Sequence, residues 1–373
     1  MIQTYSTTIR RKEMDAVLTC MVDEKIGPGE LNVRFIHSLK EFFNCDGAVA
    51  LRTPKDALKY ALNAIDFPSG EKIMISALAP AWHYQAVESL GYVPMVLDVD
   101  ESNGLVNEEI VQRAINHGGR LLLLHESMGI VPDVQSLCAL GIPIIEDVSK
   151  SAGSSVSIND TNGNLVEKKK VGSFGVYSIL TLEEQDVITA GGGAVLMAPG
   201  RREWTVLKKY VDVMPRTELL PDINCALGWV QVKEFRNNEI TRKRIFSLYQ
   251  RACMAGKHKI YSRNLTAPAI ENQSSITVQP SQIVEEFDDS STIACFPLVL
   301  SSSFKDVRQY AEKKGIEIKR AYEDSVIAVK EDELSDSCIR AKSLYLRCVL
   351  FPLYPRLSNQ QVAKIVKVLG TLP

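Results

Sequence analysis

Residues 120–147 read RLLLLHESMGIVPDVQSLCALGIPIIED, and this stretch decides the fold class. Its two ends, 120–125 and 143–147, are short runs in which apolar residues follow one another without polar alternation. Such runs are typical of strands that are buried on both faces of a parallel sheet. Between them, apolar residues recur at helical spacing over 134–140. The order strand, helix, strand predicts a parallel unit with a crossover helix.

The same alternation extends towards the N-terminus. Short apolar runs and amphipathic segments follow one another from about residue 46 onwards. The pattern predicts a mostly parallel α/β sheet that is covered by helices. The predicted strands are 47–51, 72–76 and 94–98, and the predicted helices are 56–65, 82–90 and 107–115.

Beyond residue 147 the pattern changes. Asn162-Gly163 is a hairpin turn signal, and the glycines of 191–193 indicate a turn with positive φ between predicted strands at 176–182 and 193–197. Helical patterns follow at 222–255 and 304–314, and Ser358 with Gln361 forms a capping box that opens a last helix. The Ser-, Gln- and acid-rich stretch 272–291 predicts an exposed loop.

These patterns predict two domains. The length of 373 residues favours two domains over one, and we expect the boundary near residue 240, inside the long helical pattern. Residues 1–240 would form a large α/β domain, with 1–25 as an N-terminal arm. Residues 241–373 would form a smaller C-terminal α/β domain.

Composition excludes several classes of protein. Hydrophobic residues make up 45% of the chain and the formal net charge is −2, which gives no sign of a polyanion-binding protein. No apolar stretch approaches the ~18 residues that a membrane-spanning helix needs, and the N-terminus lacks the apolar segment of a signal peptide. We therefore expect no nucleic-acid partner, no membrane partner and a soluble cytoplasmic protein.

Cysteine and histidine spacings do not indicate a metal site. The eight cysteines form no C-x-x-C pair and several lie inside apolar runs, which predicts buried free thiols. The five histidines lack the spacing of metal ligands, so no metal site is predicted.

Polar residues at the carboxyl ends of the predicted strands are the first site candidates, because ligands of open α/β sheets bind there. Thr53, Pro54 and Lys55 follow the strand 47–51. Thr53 can cap a helix that begins at Pro54, with Asp56 completing a capping box. The same helix end, with the Lys55 ammonium, can also bind a phosphate. Both interpretations stay open.

Asp147 and His125 end two further predicted strands. A buried acid requires a partner, so Asp147 either caps a helix or pairs with a protonated ring nitrogen. His125 is either a hydrogen-bonded structural group or a site residue, and the same applies to His83 beside Trp82.

Together, these segments resemble the DegT/DnrJ/EryC1/StrS family of fold type I, pyridoxal-phosphate-dependent aminotransferases, which act mostly on nucleotide-linked keto sugars. The resemblance implies a large three-layer domain with a mostly parallel sheet plus a smaller C-terminal α/β domain, a homodimer, and pyridoxal or pyridoxamine phosphate as cofactor. The matching segments are 27–29 with 35–43, 98–100, 125–129, 145–153, 171–175, 189–194 and 351–358.

The lysine that forms the Schiff base in this family is missing. It lies eight residues before the second glycine of the family's glycine turn, and the corresponding residue here is Gln185. No lysine occurs anywhere in 171–207, so a shifted alignment does not supply one. A Schiff base needs a primary amine, and the resemblance therefore predicts altered or lost chemistry on an intact fold.

Other site residues follow from the resemblance. Asp147 would contact the ring nitrogen of the cofactor. The family's aromatic residue that stacks on the ring aligns near Pro80, and Trp82 could substitute for it. Ser178, together with the Thr53-Pro54-Lys55 segment, would contact the phosphate. Lys150 takes the place of a family glutamine beside the ring hydroxyl, where it would be a relocated amine, although we expect it to be solvated at the surface.

Three functions stay open at this point. The first is a lysine-independent enzyme that uses pyridoxal or pyridoxamine phosphate, such as a sugar dehydratase, with Glu184 or Asp186 as general base. The second is a non-catalytic homologue that binds a phosphate, a nucleotide sugar or a partner subunit. The third is an aminotransferase of nucleotide-sugar metabolism with an unusual site.

Overall fold

The computed structural model describes residues 1–159, 165–254, 256–261 and 291–373, and its main element is a seven-stranded sheet. The strands are β1 (Gly47–Leu51), β2 (Lys72–Ser76), β3 (Val93–Leu97), β4 (Gly119–His125), β5 (Ile144–Asp147), β6 (Ser155–Asn159), β7 (Leu165–Lys170), β8 (Tyr177–Thr181), β9 (Ala194–Ala198), β10 (Lys259–Ile260), β11 (Phe296–Val299), β12 (Lys319–Arg320) and β13 (Cys348–Phe351).

Strand order confirms the predicted mostly parallel α/β sheet. The order is β1-β9-β8-β5-β4-β2-β3. Pairs within β3, β2, β4, β5 and β8 are parallel, and β9 runs antiparallel to both β8 and β1. Residues 121–124 of β4 are buried, as expected for a strand that is covered on both faces.

Helices cover both faces of the sheet and give three layers. The α3, α4 and α7 helices pack on one face, while α2, α5, α6 and α8 pack on the other. The helices are α1 (Arg11–Val22), α2 (Glu30–Phe43), α3 (Pro54–Ala64), α4 (Ala81–Ser89), α5 (Glu108–Asn116), α6 (Val134–Ala139), α7 (Arg201–Val211), α8 (Asp222–Cys253), α9 (Phe304–Lys313), α10 (Val326–Val329), α11 (Glu331–Leu334), α12 (Ile339–Arg347) and α13 (Asn359–Leu369).

A second, four-stranded sheet has the order β10-β11-β13-β12 and antiparallel pairing. Its core includes Ile245, Phe246 and Tyr249 from the second half of α8, together with residues of α9 and α13. The first half of α8 packs on the large sheet instead. The predicted boundary near residue 240 lies within this unbroken helix and stays a prediction.

The predicted N-terminal arm, 1–25, contacts both the long helix α8 and the C-terminal part of the chain. It contains α1, whose buried Glu13 accepts a hydrogen bond from Gln231 of α8 at 3.1 Å. The backbone of Ile2 forms a bridge to Ile316 in the C-terminal part of the chain. The predicted turn at Asn162-Gly163 and residues 272–290 of the predicted loop lie outside the described residues.

Two predicted helix starts differ in detail. Ser358 and Gln361 form the predicted capping box at the start of α13. At α3, the Thr53 hydroxyl oxygen accepts from the Asp56 amide at 3.1 Å, but the same hydroxyl donates to the Asp56 carboxylate at 2.7 Å. Thr53 is therefore the N-cap, while the reciprocal bond of a full capping box is absent at this helix.

Candidate functional site

A cavity of about 360 Å³ lies at the carboxyl ends of the central strands. His125 ends β4, Lys150 follows β5 and Thr181 ends β8, and all three side chains line the cavity. The opposite wall is formed by Tyr5 and by residues 321–325 after β12. A cleft between the end of an open sheet and a second structural unit is the usual place for a ligand in this class of fold.

Asp147 is fully buried beside this cavity, and the protein itself satisfies its carboxylate completely. One oxygen, Oδ2, accepts from His83 Nε2 and from His125 Nδ1, both at 2.9 Å. The other, Oδ1, accepts from the Ser149 amide at 3.2 Å and from the Ser149 hydroxyl. A carboxylate offers about four lone-pair positions, and these four donors occupy them. Asp147 has no exposed surface and is not part of the cavity wall formed by the described residues.

The charges within this cluster follow from burial and hydrogen bonding. Burial alone would raise the pKa of Asp147, but the bonds from His125 and His83 outweigh it and hold the pKa well below its ordinary value of 3.8. Burial lowers the pKa of His83, which is therefore neutral. Because the Asp147 carboxylate only accepts, the hydrogen of each histidine lies on the nitrogen that contacts it.

His83, His125 and Asp147 also present donor atoms that lie within 4.8 Å of one another, a set that a transition metal accepts. Sequence spacing did not indicate this cluster, because parallel strand order brings together residues 83, 125 and 147. The two hydrogen bonds of 2.9 Å account for the arrangement without a metal ion, so the three residues form a hydrogen-bonded network.

Lys150 contradicts the expectation of a solvated surface side chain. Its side chain is 25% exposed and lines the cavity, and its Nζ lies 2.8 Å from Asp186 Oδ1. The same nitrogen donates to the backbone carbonyl of Gln185 at 2.9 Å. Burial opposes protonation here, but the ion pair with Asp186 outweighs it and raises the pKa of Lys150 above its ordinary value. An ammonium thus lies next to Gln185, the residue at which the family resemblance predicts a Schiff-base lysine.

Gln185 and its two acidic neighbours, Glu184 and Asp186, line the cavity as well. Asp186 also accepts from the Thr181 hydroxyl at 2.5 Å and from the Glu183 amide at 2.9 Å. The carboxylate of Asp186 is therefore occupied by Thr181, Glu183 and Lys150 and stabilises its own loop. This argues against the predicted use of Asp186 as a general base.

Trp82 lines the cavity from the first turn of α4, and its ring centroid lies 4.2 Å from that of His83. The adjoining Pro80 pairs with Ser325, and the Val326 amide donates to the Ala79 carbonyl at 2.8 Å. These contacts hold the 321–325 wall against the start of α4, so that Trp82 and Tyr322 belong to one enclosure.

The predicted phosphate contacts do not assemble at this cavity. Thr53, Pro54 and Lys55 are absent from the wall formed by the described residues. Thr53 and the carboxylate of Asp56 already occupy the N-terminus of α3, and Glu218 lies nearby through a 3.0 Å ion pair with Lys59. Carboxylates at a helix N-terminus compete with a bound anion for the same positive end.

Ser178 also lies outside the cavity wall formed by the described residues, and its role as a phosphate ligand stays a prediction. Within β5 and β8, Asp147 pairs with Ile179, so the neighbouring Ser178 points to the other face of the sheet. Its fully buried hydroxyl packs against Gly172, where an added Cβ would lie 3.0 Å from the oxygen. The sequence could not reveal this, because a shift of one residue in strand alignment reverses the face.

The rim of the cavity is acidic. Exposed carboxylates surround the opening, and the lining contains Lys150 as a cation, already paired with Asp186. Such a rim repels phosphates and favours ligands that donate hydrogen bonds, either hydroxyl-rich or positively charged. The rim carboxylates are those of Glu183, Glu184, Glu323 and Asp324.

With this geometry defined, comparison with known proteins identifies the family. The model of the DegT/DnrJ/EryC1/StrS aminotransferase family matches residues 7–370. This chain belongs to that family. The sequence resemblance is thereby confirmed over nearly the whole chain.

Curated relatives of this DegT/DnrJ/EryC1/StrS protein are distant. The L-glutamine:2-deoxy-scyllo-inosose aminotransferase of Micromonospora echinospora is 26% identical over 44% of this chain and 38% of its own length. The GDP-perosamine synthase of Vibrio cholerae is 24% identical over 53% of each chain. The alignments thus span about half or less of these relatives.

Solved structures agree on the DegT/DnrJ/EryC1/StrS fold. Spr1654 of Streptococcus pneumoniae in its PLP-form superposes with a TM-score of 0.80 at 15% identity, covering 98% of this chain and 97% of that one. This likeness establishes the PLP-dependent aminotransferase fold. Among the described residues, no helix combines the length and apolar character that crossing a bilayer requires.

Proposed function

We propose that this family member binds a polyhydroxylated keto ligand in its cavity and does not form a cofactor imine at residue 185. The closed carboxylate of Asp147 carries this proposal. The family's cofactor needs a partner for its ring nitrogen, and each lone pair of Asp147 is occupied by His83, His125 or Ser149.

Two further features of the site do not fit pyridoxal phosphate. Gln185 provides an amide where an amine is required, and an amide does not form a Schiff base. The capped N-terminus of α3 and the buried Ser178 leave the predicted phosphate contacts outside the cavity. The residues present therefore favour a ligand other than this cofactor.

Charge and shape indicate the class of ligand. An uncharged cyclic ketone with several hydroxyl groups can donate hydrogen bonds to the rim carboxylates and stack on Trp82, Tyr5 and Tyr322. The diphosphate group of a nucleotide sugar would bring negative charge to the same rim. Of the compounds named for the two relatives, the substrate 2-deoxy-scyllo-inosose fits this description better than the product GDP-perosamine does.

Calorimetry with these two compounds tests the proposal. We expect 2-deoxy-scyllo-inosose to bind at least about tenfold more tightly than GDP-perosamine, since like charges across a site oppose association. Glu183→Gln combined with Glu323→Gln should narrow that ratio, whereas Glu88→Gln, on the exposed side of α4, should leave it unchanged. Equal or tighter binding of GDP-perosamine would contradict the proposed ligand class.

A second candidate is an enzyme that uses Lys150 as a relocated amine for pyridoxal phosphate. Its support is the position of the Lys150 Nζ, 2.9 Å from the carbonyl of Gln185. Against it stands the ion pair with Asp186, because a protonated amine is not a nucleophile. Borohydride reduction with added pyridoxal phosphate separates the two candidates. We expect no more label on Lys150 than on the exposed Lys305, and selective labelling of Lys150 would establish the second candidate.

We also propose a homodimer, as the family resemblance implies. One face of α1 presents apolar side chains to solvent, with Met14, Leu18 and Met21 each between 51% and 56% exposed. These residues recur at helical spacing, away from the face that packs on α8 through Glu13 and Cys20. A second copy of the chain would cover this stripe.

Leu18→Glu is expected to weaken the dimer by about tenfold or more, because it places an unpaired charge in an apolar interface. Light scattering across a range of protein concentrations gives the measurement. Thr19→Glu adds the same charge on another side of α1 and should leave the dimer intact. A parent protein that is monomeric at all concentrations would refute the proposed dimer.

A further inference from the structure

One imidazole nitrogen in the cavity wall is open to a ligand. His125 donates from Nδ1 to the buried Asp147 carboxylate, so the lone pair of the ring lies on Nε2. His125 lines the cavity, and its Nε2 has no hydrogen-bond partner among the described residues. Nδ1 of His83 is buried and also lacks a partner, whereas Nε2 of His125 is not fully buried. A ligand in the cavity can therefore reach it.

A cation faces the same cavity with one donor to spare. An ammonium has three hydrogens, and the described partners of Lys150 are the Asp186 carboxylate at 2.8 Å and the Gln185 carbonyl at 2.9 Å. The third hydrogen is free to donate to a ligand oxygen. Asp186 and Gln185 thereby position the ammonium and leave one of its hydrogens available to a ligand.

We propose that His125 and Lys150 enolise a hydroxyketone in this cavity. The C–H bond next to the ketone breaks, and its proton moves to Nε2 of His125. The electron pair forms a carbon–carbon double bond, and the ketone oxygen becomes an oxyanion that accepts a hydrogen bond from Lys150. Return of the proton regenerates the ketone, either unchanged or inverted at that carbon. This step rests on the proposed binding of a keto ligand and requires no oxidant or cofactor.

Asp147 and His83 serve as positioning residues in this scheme. The Asp147 carboxylate fixes the tautomer of His125 and stabilises the imidazolium that forms when Nε2 accepts the proton, as in other acid–histidine pairs. His83 donates to the same carboxylate oxygen and limits its movement. Neither residue reaches the ligand, because neither lines the cavity wall formed by the described residues.

Deuterium exchange tests the inference. The full chain is incubated with 2-deoxy-scyllo-inosose in D₂O without added cofactor, and NMR follows the loss of proton signal at the carbons next to the ketone. We expect exchange on the order of 10²-fold faster than in buffer. His125→Gln should return the rate to that of buffer, and Lys150→Met should lower it by about tenfold or more. Matched controls, His37→Gln on α2 and Lys305→Met on α9, should keep the parent rate.

The outcomes separate the inference from the proposed function. Binding in calorimetry without exchange above buffer overturns the inference and leaves the proposed ligand class standing, whereas no binding overturns both. Exchange at the parent rate in His125→Gln, once circular dichroism shows that the variant is folded, also overturns the inference. If that variant does not fold, the rate of Lys150→Met decides, and an unchanged rate counts against the inference.

Discussion

Asp147→Asn is expected to lower the free energy of unfolding by about 3–5 kcal/mol, although the substitution preserves the size of the side chain. Asp147 is fully buried and accepts four hydrogen bonds, from His83, from His125 and two from Ser149. An amide replaces one accepting oxygen by an NH₂ group. In either orientation of the amide, its NH₂ group faces the donors of the two histidines or those of Ser149. Buried donors that lack an acceptor lower the stability of the folded protein.

Urea unfolding at pH 7 measures this effect. Because the pKa of Asp147 is held below its ordinary value of 3.8, its contribution is complete above about that pH and is lost as the pH falls further. Asp336→Asn makes the same exchange at an exposed position and should change the stability by about 0.5 kcal/mol or less. A loss below about 1 kcal/mol in Asp147→Asn would show that the carboxylate is not the centre of the network.

The sequence was sufficient to locate most of the sheet. The strands 47–51 and 72–76 were predicted to the residue, because uninterrupted apolar runs between turn residues leave little freedom in where a buried strand lies. Helix ends were predicted within one or two residues where a cap was visible, as at Ser358. These features depend on local composition, which the sequence displays directly.

The site was less accessible to sequence analysis, since it depends on which strands become neighbours. His125 and Asp147 were identified singly, but β4 and β5 must pair in register before the two side chains meet. His83 enters the cluster from α4, beyond the neighbouring strand β2. The side chain of Lys150 was misjudged for the same reason, because its partner Asp186 lies on a loop 36 residues further along the chain.

The proposed loss of imine chemistry therefore concerns more than one position. Gln185 removes the amine, and the network around Asp147 leaves no acceptor for a ring nitrogen. A reversion of Gln185 to lysine would restore only the first of these features. The apolar strands and helix caps of the scaffold do not depend on the site, so a family match over residues 7–370 is compatible with the proposed change in the cavity.

Glu126→Gln is expected to stabilise the protein relative to its parent by an amount that grows as the pH rises. Glu126 has no exposed surface, and its carboxyl oxygens lack a well-formed hydrogen bond to any described residue, although the Ser151 hydroxyl favours the ionised form. Burial, followed by the negative charge of Glu146, raises its pKa well above the ordinary value of 4.5. Glu146 keeps a structural use for its own carboxylate, which accepts from the amides of Gly172, Phe174 and Gly175 at 2.6–2.9 Å.

The direction of the effect follows from proton binding. Above pH 4.5 the unfolded chain releases the Glu126 proton while the folded protein retains it, so stability falls with rising pH until the folded state also releases it. Each pH unit in that window costs about 1.4 kcal/mol. A glutamine has no proton to release, and the advantage of Glu126→Gln over the parent should grow by this amount per unit. Urea unfolding between pH 4.5 and 8 provides the comparison, with the exposed Glu88→Gln as matched control. A constant difference between Glu126→Gln and the parent across this range would mean that Glu126 is ionised in the folded protein.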